Sequence, residues 1–202
     1  MANDILVLAS GNAGKLREFA ALLQPLGKDL RPQSDWAVGP VAEDACSFVE
    51  NALIKARHAA RCTGLPALAD DSGLVVPALD GAPGVRSARY SGAQGDTSGN
   101  NRKLLEAMSG LEGSDRAAYF HCAVVMLDAP QDPAPLLACA SWWGEIAQAE
   151  AGTMGFGYDP LFWLPRLHCT SAQLERAAKD RLSHRGLATR QLIRLLEARR
   201  ER

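Results

Sequence analysis

The chain has 202 residues, 47% of them hydrophobic and 22% charged, with a formal net charge of −1 at pH 7. These are ordinary globular values for a single domain (1–202) with a sizeable core; they exclude a disordered chain and a polycation that recruits nucleic acid polymers. Cys46, Cys62, Cys122, Cys139 and Cys169 make an odd number with no Cys-x-x-Cys pair, which fits a reduced cytoplasmic protein better than a disulfide scaffold or a zinc site.

Residues 5–9 read as a buried strand, too short to span a membrane or direct export, ended by Ser10-Gly11-Asn12. A helix follows over 14–23, with Leu16, Phe19, Ala20 and Leu23 on one face, and Pro25 and Gly27 stop it. Residues 28–45 are irregular apart from a short strand near Trp36. Ser47 and Glu50 form a Ser-x-x-Glu capping box that opens a helix to about Arg61, halted at Gly64. Two short strands, 67–69 and 74–79, precede a helix over 98–108. Strands over 117–127 and 136–143 are long enough for an antiparallel hairpin. A glycine-rich loop, 152–157, leads into the apolar run 161–164. Helices over 171–179 and 183–199 close the chain, the latter with Leu187, Leu192, Leu195 and Leu196 inward and a frayed, charged end.

The most informative segment is Leu68-Ala69-Asp70-Asp71-Ser72-Gly73. Two adjacent carboxylates after an apolar run sit at the C-terminal mouth of a strand, where open α/β sheets bind ligands. Asp-Asp-Ser-Gly is also good turn chemistry, and that reading stands beside a cation-neutralised acidic pair. Ser10-Gly11-Asn12-Ala13-Gly14-Lys15, between a strand and a helix, is placed to offer backbone N–H groups and an ammonium to a phosphate, or to be a plain turn. It is not a Walker A loop: the glycine spacing is short and Leu16 stands where Ser or Thr would hold magnesium. Lys55 intrudes on the apolar helix face of Phe48, Ala52, Ala56 and Ala59, so it needs an anionic partner. Phe156, between glycines, offers a stacking platform, and Asp159 before Pro160 an acceptor. His184 and Arg185 fall in the first turn after a Ser183 cap, where cations oppose the helix dipole. That placement points to a ligand.

Ser10-Gly11-Asn12-x-x-Lys15, Ser47-Phe48-x-Glu50-Asn51-Ala52, Ala69-Asp70-Asp71-Ser72-Gly73-Leu74, Gly81-Ala82-Pro83-Gly84-Val85, Ser87-Ala88-Arg89-Tyr90, Gly155-Phe156-Gly157-Tyr158-Asp159-Pro160 and Ser183-His184-Arg185-Gly186 together closely resemble the inosine triphosphate pyrophosphatase family. The resemblance runs from residue 5 to about 195. Ser10 stands where threonine is common, Asp44-Ala45 where Thr-Gly is usual, and Asp180 where asparagine is common.

The resemblance implies an α/β fold: a long twisted mixed β-sheet with flanking helices, forming two lobes around a central cleft, typically in a homodimer. It implies hydrolysis of dITP, ITP and XTP to monophosphate and pyrophosphate, with no membrane or nucleic acid polymer as partner. Ser10 to Lys15, with Lys55, would cradle the triphosphate. Glu43 and Asp71 would hold Mg²⁺, and Asp71 would also be the base for the attacking water. Strand alternation would turn Asp70 the other way, so only one carboxylate leads the chemistry. Ser72 would meet substrate; Phe156, with Gly157, Tyr158, Asp159 and Lys179, would hold the purine. His184 and Arg185 would donate to a 6-keto oxygen.

Overall fold

The computed structural model describes residues 5–24 and 27–200. Among them lie seven strands, β1 (Ile5–Leu8), β2 (Asp29–Pro32), β3 (Ala67–Val75), β4 (Ala117–Leu127), β5 (Leu136–Ile146), β6 (Phe162–Leu164) and β7 (Cys169–Thr170). Five α-helices accompany them: α1 (Ala13–Leu23), α2 (Phe48–Thr63), α3 (Thr97–Ala107), α4 (Arg176–Leu182) and α5 (His184–Arg200). The strands form one sheet in the order β2-β1-β3-β4-β5-β6-β7. It is mixed: β1 runs parallel to β2 and β3, whereas β6 is antiparallel to β5 and β7. Among the described residues, no helix is long and apolar enough to cross a membrane.

The chain divides into two compact units, Met1–Asp71 with Cys122–Ala140 and Arg185–Arg202, and Ser72–His121 with Ser141–His184. In the first unit, strand alternation sorts side chains into two cores. Leu6, Leu8 and Leu68 share one cluster with Phe19 and Leu23 of α1 and Ala188, Leu192 and Leu196 of α5. Val7, Ala67 and Ala69 share the other with Ala52, Ala56, Ala59 and Ala60 of α2. The alanines let α2 lie close to the sheet. Its ends follow the sequence signals: Ser47 Oγ accepts from the Glu50 amide at 3.3 Å, and Gly64 closes the helix at φ +69°. The capping pair is only half a box, because the Ser47 hydroxyl itself donates to Glu50 Oε2 at 2.7 Å. In the second unit Leu104 and Met108 pack with Leu74, Val76, Phe120, Ile146, Leu161 and Phe162.

Several sequence expectations shift. The first edge strand is Asp29–Pro32, and Trp36 instead ends a 3₁₀ turn before the left-handed Ala37, packed against the α2 core. Residues 67–75 form one strand rather than two, so Asp70 and Asp71 lie inside β3 and not in a turn or at its mouth. Their charged partners, described below, satisfy them there. They do lie beyond the C-terminal end of β1, whose last residue, Leu8, registers with Leu68. Residues 77–79 form a 3₁₀ turn, and the expected helix from 171 is a short 3₁₀ turn followed by α4. β5 runs on to Ile146, and the two-residue β7 carried too little pattern to read. In α5 the buried stripe is Arg185, Ala188, Thr189, Leu192 and Leu196, while Leu187 and Leu195 are 38% and 36% exposed. Helix α5 continues to Arg200, so the charged end is wound rather than frayed up to that residue. Helix α1 ends at Leu23 with Gln24 as its cap; Pro25 lies outside the described residues.

Candidate functional site

In the first unit, charged side chains gather on both faces of β3. Asn12 caps α1: its Oδ1 accepts from the amides of Gly14 at 2.8 Å and Lys15 at 3.2 Å. The Asn12 amide donates to Ser10 Oγ at 3.2 Å. Side chains of the turn thus already hold amides that the sequence reading left to a phosphate. The turn is pre-ordered, and its ammonium is the group that reaches out. Lys15 Nζ lies 2.9 Å from Asp70 Oδ1.

Asp70 is fully buried on the α1/α5 side of β3, and its second oxygen, Oδ2, accepts from Arg185 Nε at 3.2 Å. Burial alone would raise the Asp70 carboxyl, but Lys15, Arg185 and Lys55 outweigh it and hold the group well below the usual carboxylate range. Arg185 also donates from Nη1 to Glu18 Oε2 at 2.8 Å. A cation in the first turn of α5 therefore has two carboxylates to offset the helix dipole. Burial would lower the Arg185 guanidinium, yet Asp70 and Glu18 help to keep it raised.

Asp71, on the α2 side, is held by that helix. Lys55 Nζ donates to Asp71 Oδ1 at 3.1 Å and to Glu43 Oε2 at 2.6 Å, and Asn51 Nδ2 donates to Asp71 Oδ2 at 3.2 Å. The anionic partners expected for Lys55 are thus Glu43 and Asp71. Burial raises the Asp71 carboxyl above its ordinary value even though Lys55 pulls it down. Opposite partners on opposite faces match the alternation expected of adjacent strand residues.

Glu18 and Asn51 are the charged and polar groups the sequence reading did not assign. The signal for Asn51 was present: it is one turn before Lys55 on the buried face of α2 and itself buried. Its Oδ1 also accepts from the Ala45 amide at 3.1 Å, tying the loop that carries Glu43 to the helix. Glu18 looked like any helix-surface acid.

Among the described residues, no three His, Cys, Asp or Glu side chains gather into a metal cluster. Glu43 and Asp71 nevertheless converge on one cationic nitrogen. Two hard carboxylates completed by phosphate and water suit Mg²⁺, which is commonly held that way. The donor set fits.

In the second unit, Ser72 continues β3. Phe156 is 53% exposed, as a platform requires. Its loop is fastened by Asp159, whose Oδ2 accepts from the Phe156 amide at 2.8 Å and whose Oδ1 accepts from the Ser171 hydroxyl at 2.7 Å. Lys179 pairs with Asp159 Oδ2, and its ammonium lies 5.4 Å from the Phe156 ring centre. Gly155, at φ +85°, packs where a Cβ would run into the Asp159 carboxylate. Gly157 has φ +62°. Tyr158 is buried in the core and donates to the Ser87 carbonyl at 2.9 Å. Ser87 in turn accepts from the Leu74 amide at 2.9 Å and donates to the Gly84 carbonyl at 2.7 Å. The His184 ring is buried and stacks on Phe120, with centroids 4.8 Å apart and planes 14° apart.

Paired acidic and basic side chains thus lie on both faces of β3, just beyond the C-terminal end of its parallel neighbour β1. Residues 6–195 match the Ham1 family. The chain belongs to that family. It is 52% identical over 194 residues to a dITP/XTP pyrophosphatase of Thioalkalivibrio sulfidiphilus, covering 96% of this chain and 99% of that protein. A dITP/XTP pyrophosphatase of Xanthomonas campestris is 53% identical over 193 residues, 96% of this chain and 97% of the relative. The structure of a HAM1 protein from Coxiella burnetii superposes with a TM-score of 0.91 at 47% identity, covering 96% of this chain and 98% of that one. A nucleoside-triphosphatase / dITP/XTP pyrophosphatase from Mycobacterium abscessus gives 0.79 at 39% identity, over 95% and 99% of the two chains.

Proposed function

We propose that this chain is a nucleoside triphosphate pyrophosphatase that hydrolyses nonstandard purine nucleotides (dITP, ITP, XTP and dXTP) to the monophosphate and pyrophosphate. The observation that carries the reading is the division of labour across β3, Lys15 on Asp70 and Lys55 with Glu43 on Asp71, in a chain about half identical to named dITP/XTP pyrophosphatases along nearly its whole length.

Ser10, Gly11, Asn12, Ala13, Gly14 and Lys15 bind the triphosphate, and Lys55 adds charge to it. Asp71 is the base. Its carboxylate takes a proton from water as the water oxygen bonds to the α-phosphorus and the bond to the pyrophosphate oxygen breaks. The raised Asp71 carboxyl supports a proton-accepting role, since a base works best with a pKa nearer the working pH. Asp70, held ionised between Lys15 and Arg185, is the weaker base and serves as an anchor. Glu43 and Asp71 hold Mg²⁺, which when bound neutralises charge on the phosphates.

Phe156 stacks on the base and accepts any purine. Selection for a 6-keto oxygen rests on donors, and His184 and Arg185 are the candidates, with Lys179 held on Asp159 beside the Phe156 ring. Arg185 also pairs with Asp70 and Glu18 within the protein. Donors aimed at position 6 leave the amino group of adenine facing N–H and reject it by up to about 10⁴-fold.

The test is pyrophosphate release from dITP, XTP, dGTP and dATP, with and without Mg²⁺, beside Asp71→Asn. Metal-dependent pyrophosphate from dITP and XTP alone, abolished in the variant, is expected. Orthophosphate as product, or equal turnover of all four, overturns the assignment.

A further inference from the structure

The segment from Gly39 to Ala45 has no helix or strand of its own, yet it is laid along α2. Asn51, Lys55 and His58 follow one another at helical spacing and line one face of that helix, beside the alanines that meet the sheet. Each takes one point of the segment. Asn51 Oδ1 accepts from the Ala45 amide at 3.1 Å, Lys55 Nζ donates to Glu43 Oε2 at 2.6 Å, and His58 Nε2 lies 3.1 Å from the Gly39 carbonyl oxygen. A carbonyl oxygen only accepts, so the His58 ring donates from Nε2. Asn51, Lys55 and His58 thus meet Ala45, Glu43 and Gly39 in turn, and the segment is an antiparallel strap on the helix. Asn51 reaches further: its Nδ2 donates to Asp71 Oδ2 at 3.2 Å.

We propose that Asn51 and His58 are positioning residues that bring Glu43 to Asp71 for a divalent cation, by fastening this strap to α2; the inference rests on the reading of Glu43 and Asp71 as the residues that hold Mg²⁺. The two carboxylates are fixed to different degrees. Asp71 lies in a strand with its side chain 12% exposed, whereas Glu43 hangs from the strap at 37%. Where the strap lies therefore sets the distance between them. Lys55 is the wrong group to set it, because a cation on the Glu43 and Asp71 oxygens must displace its ammonium or share them with it. Asn51 and His58 instead grip backbone groups of the strap, and a cation on the carboxylates leaves those bonds intact. Asn51 grips Asp71 as well, so one buried amide ties strap and strand together. Outer partners of this kind orient the ligands of a metal, and their loss typically weakens metal binding by about 10–100-fold.

The experiment is calorimetric titration of Mn²⁺ into the nucleotide-free protein for Asn51→Leu, His58→Leu, Glu43→Ala and the His58→Leu/Glu43→Ala double variant, with amide hydrogen exchange across residues 39–45 followed in the metal-free protein. Asn51→Leu is expected to weaken Mn²⁺ binding by about tenfold and His58→Leu by about threefold, each with faster exchange in the strap. His58→Leu also raises the Mg²⁺ concentration for half-maximal dITP turnover by the same factor, with kcat at saturating Mg²⁺ nearly unchanged. In the Glu43→Ala background, His58→Leu has no further effect on Mn²⁺ binding. Unchanged Mn²⁺ affinity in either Asn51→Leu or His58→Leu, whatever their melting temperatures, overturns the proposal, as does a His58→Leu effect that persists without Glu43. If Glu43→Ala itself leaves Mn²⁺ binding unaltered, the reading of Glu43 as a metal ligand falls and takes the proposal with it, a result distinct from the other two. Should Asn51→Leu fail to fold, His58→Leu, at a partly exposed position, decides alone: its Mn²⁺ binding weakens in a way that needs Glu43, or the proposal is wrong.

Discussion

Lys55 donates from its ammonium to Asp71 Oδ1 across 3.1 Å, and the same nitrogen lies 2.6 Å from Glu43 Oε2. One side chain of α2 thus fills the position where two carboxylates converge. A divalent cation bound by the same oxygens must share them with this ammonium or displace it. Lys55→Met is therefore expected to strengthen Mn²⁺ or Mg²⁺ binding to the nucleotide-free protein by roughly tenfold, while raising KM for dITP. Calorimetric titration of the metal checks the first part; metal binding that is unchanged or weaker in the variant counts against it.

Gly11 sits in the turn before α1, and a Cβ built there meets nothing within 4 Å. The protein's own packing gives no reason for glycine at that position; close approach of a phosphate, as proposed above, would. Gly11→Ala is expected to melt within about 1 °C of the parent, since surface changes away from packed features are nearly neutral. Its KM for dITP rises severalfold nonetheless. A lowered melting point with unaltered KM would give Gly11 a structural role instead.

Phe156 presents an exposed ring on a loop fastened by Asp159. Stacking tolerates every base, so Phe156→Ala should weaken dITP and XTP alike, by about 1–3 kcal/mol in kcat/KM. The ratio of dITP to dATP turnover should stay where it was. A collapse of that ratio in the variant would show that the ring also selects.

Burial alone would raise the Asp70 carboxyl, but Lys15, Arg185 and Lys55 outweigh it, so its folded pKa lies below the unfolded value. Ion-pair stability of this sign is fully present above the unfolded pKa of about 4 and is lost as pH falls through the folded one. The melting-temperature gap between the parent and Asp70→Asn should accordingly be level from neutral pH down to about pH 5 and shrink only below about pH 4. A gap that closes near neutrality would mean that another group titrates.

The longest patterns were legible in the chain itself. A long, nearly continuous apolar run marked β4, and Ser47 with Gly64 bracketed α2, because caps and apolar runs act over a few neighbours. Lys55 announced itself as a charge on an apolar face, and the Phe156 loop as an aromatic between glycines. The acidic pair was visible too, but its setting was not. Asp-Asp-Ser-Gly favours a turn by local propensity, and only Lys15, Arg185, Lys55 and Asn51, brought in from three helices, allow it to continue as strand. Arg185 shows the same limit. Its sequence position pointed to a ligand but gave no sign that Asp70 and Glu18 also meet it within the protein. Residue types and their order therefore determined the family and which groups carry charge. Which carboxylate each cation meets depends on side chains from distant segments competing for a few oxygens, and only the tertiary structure decides that.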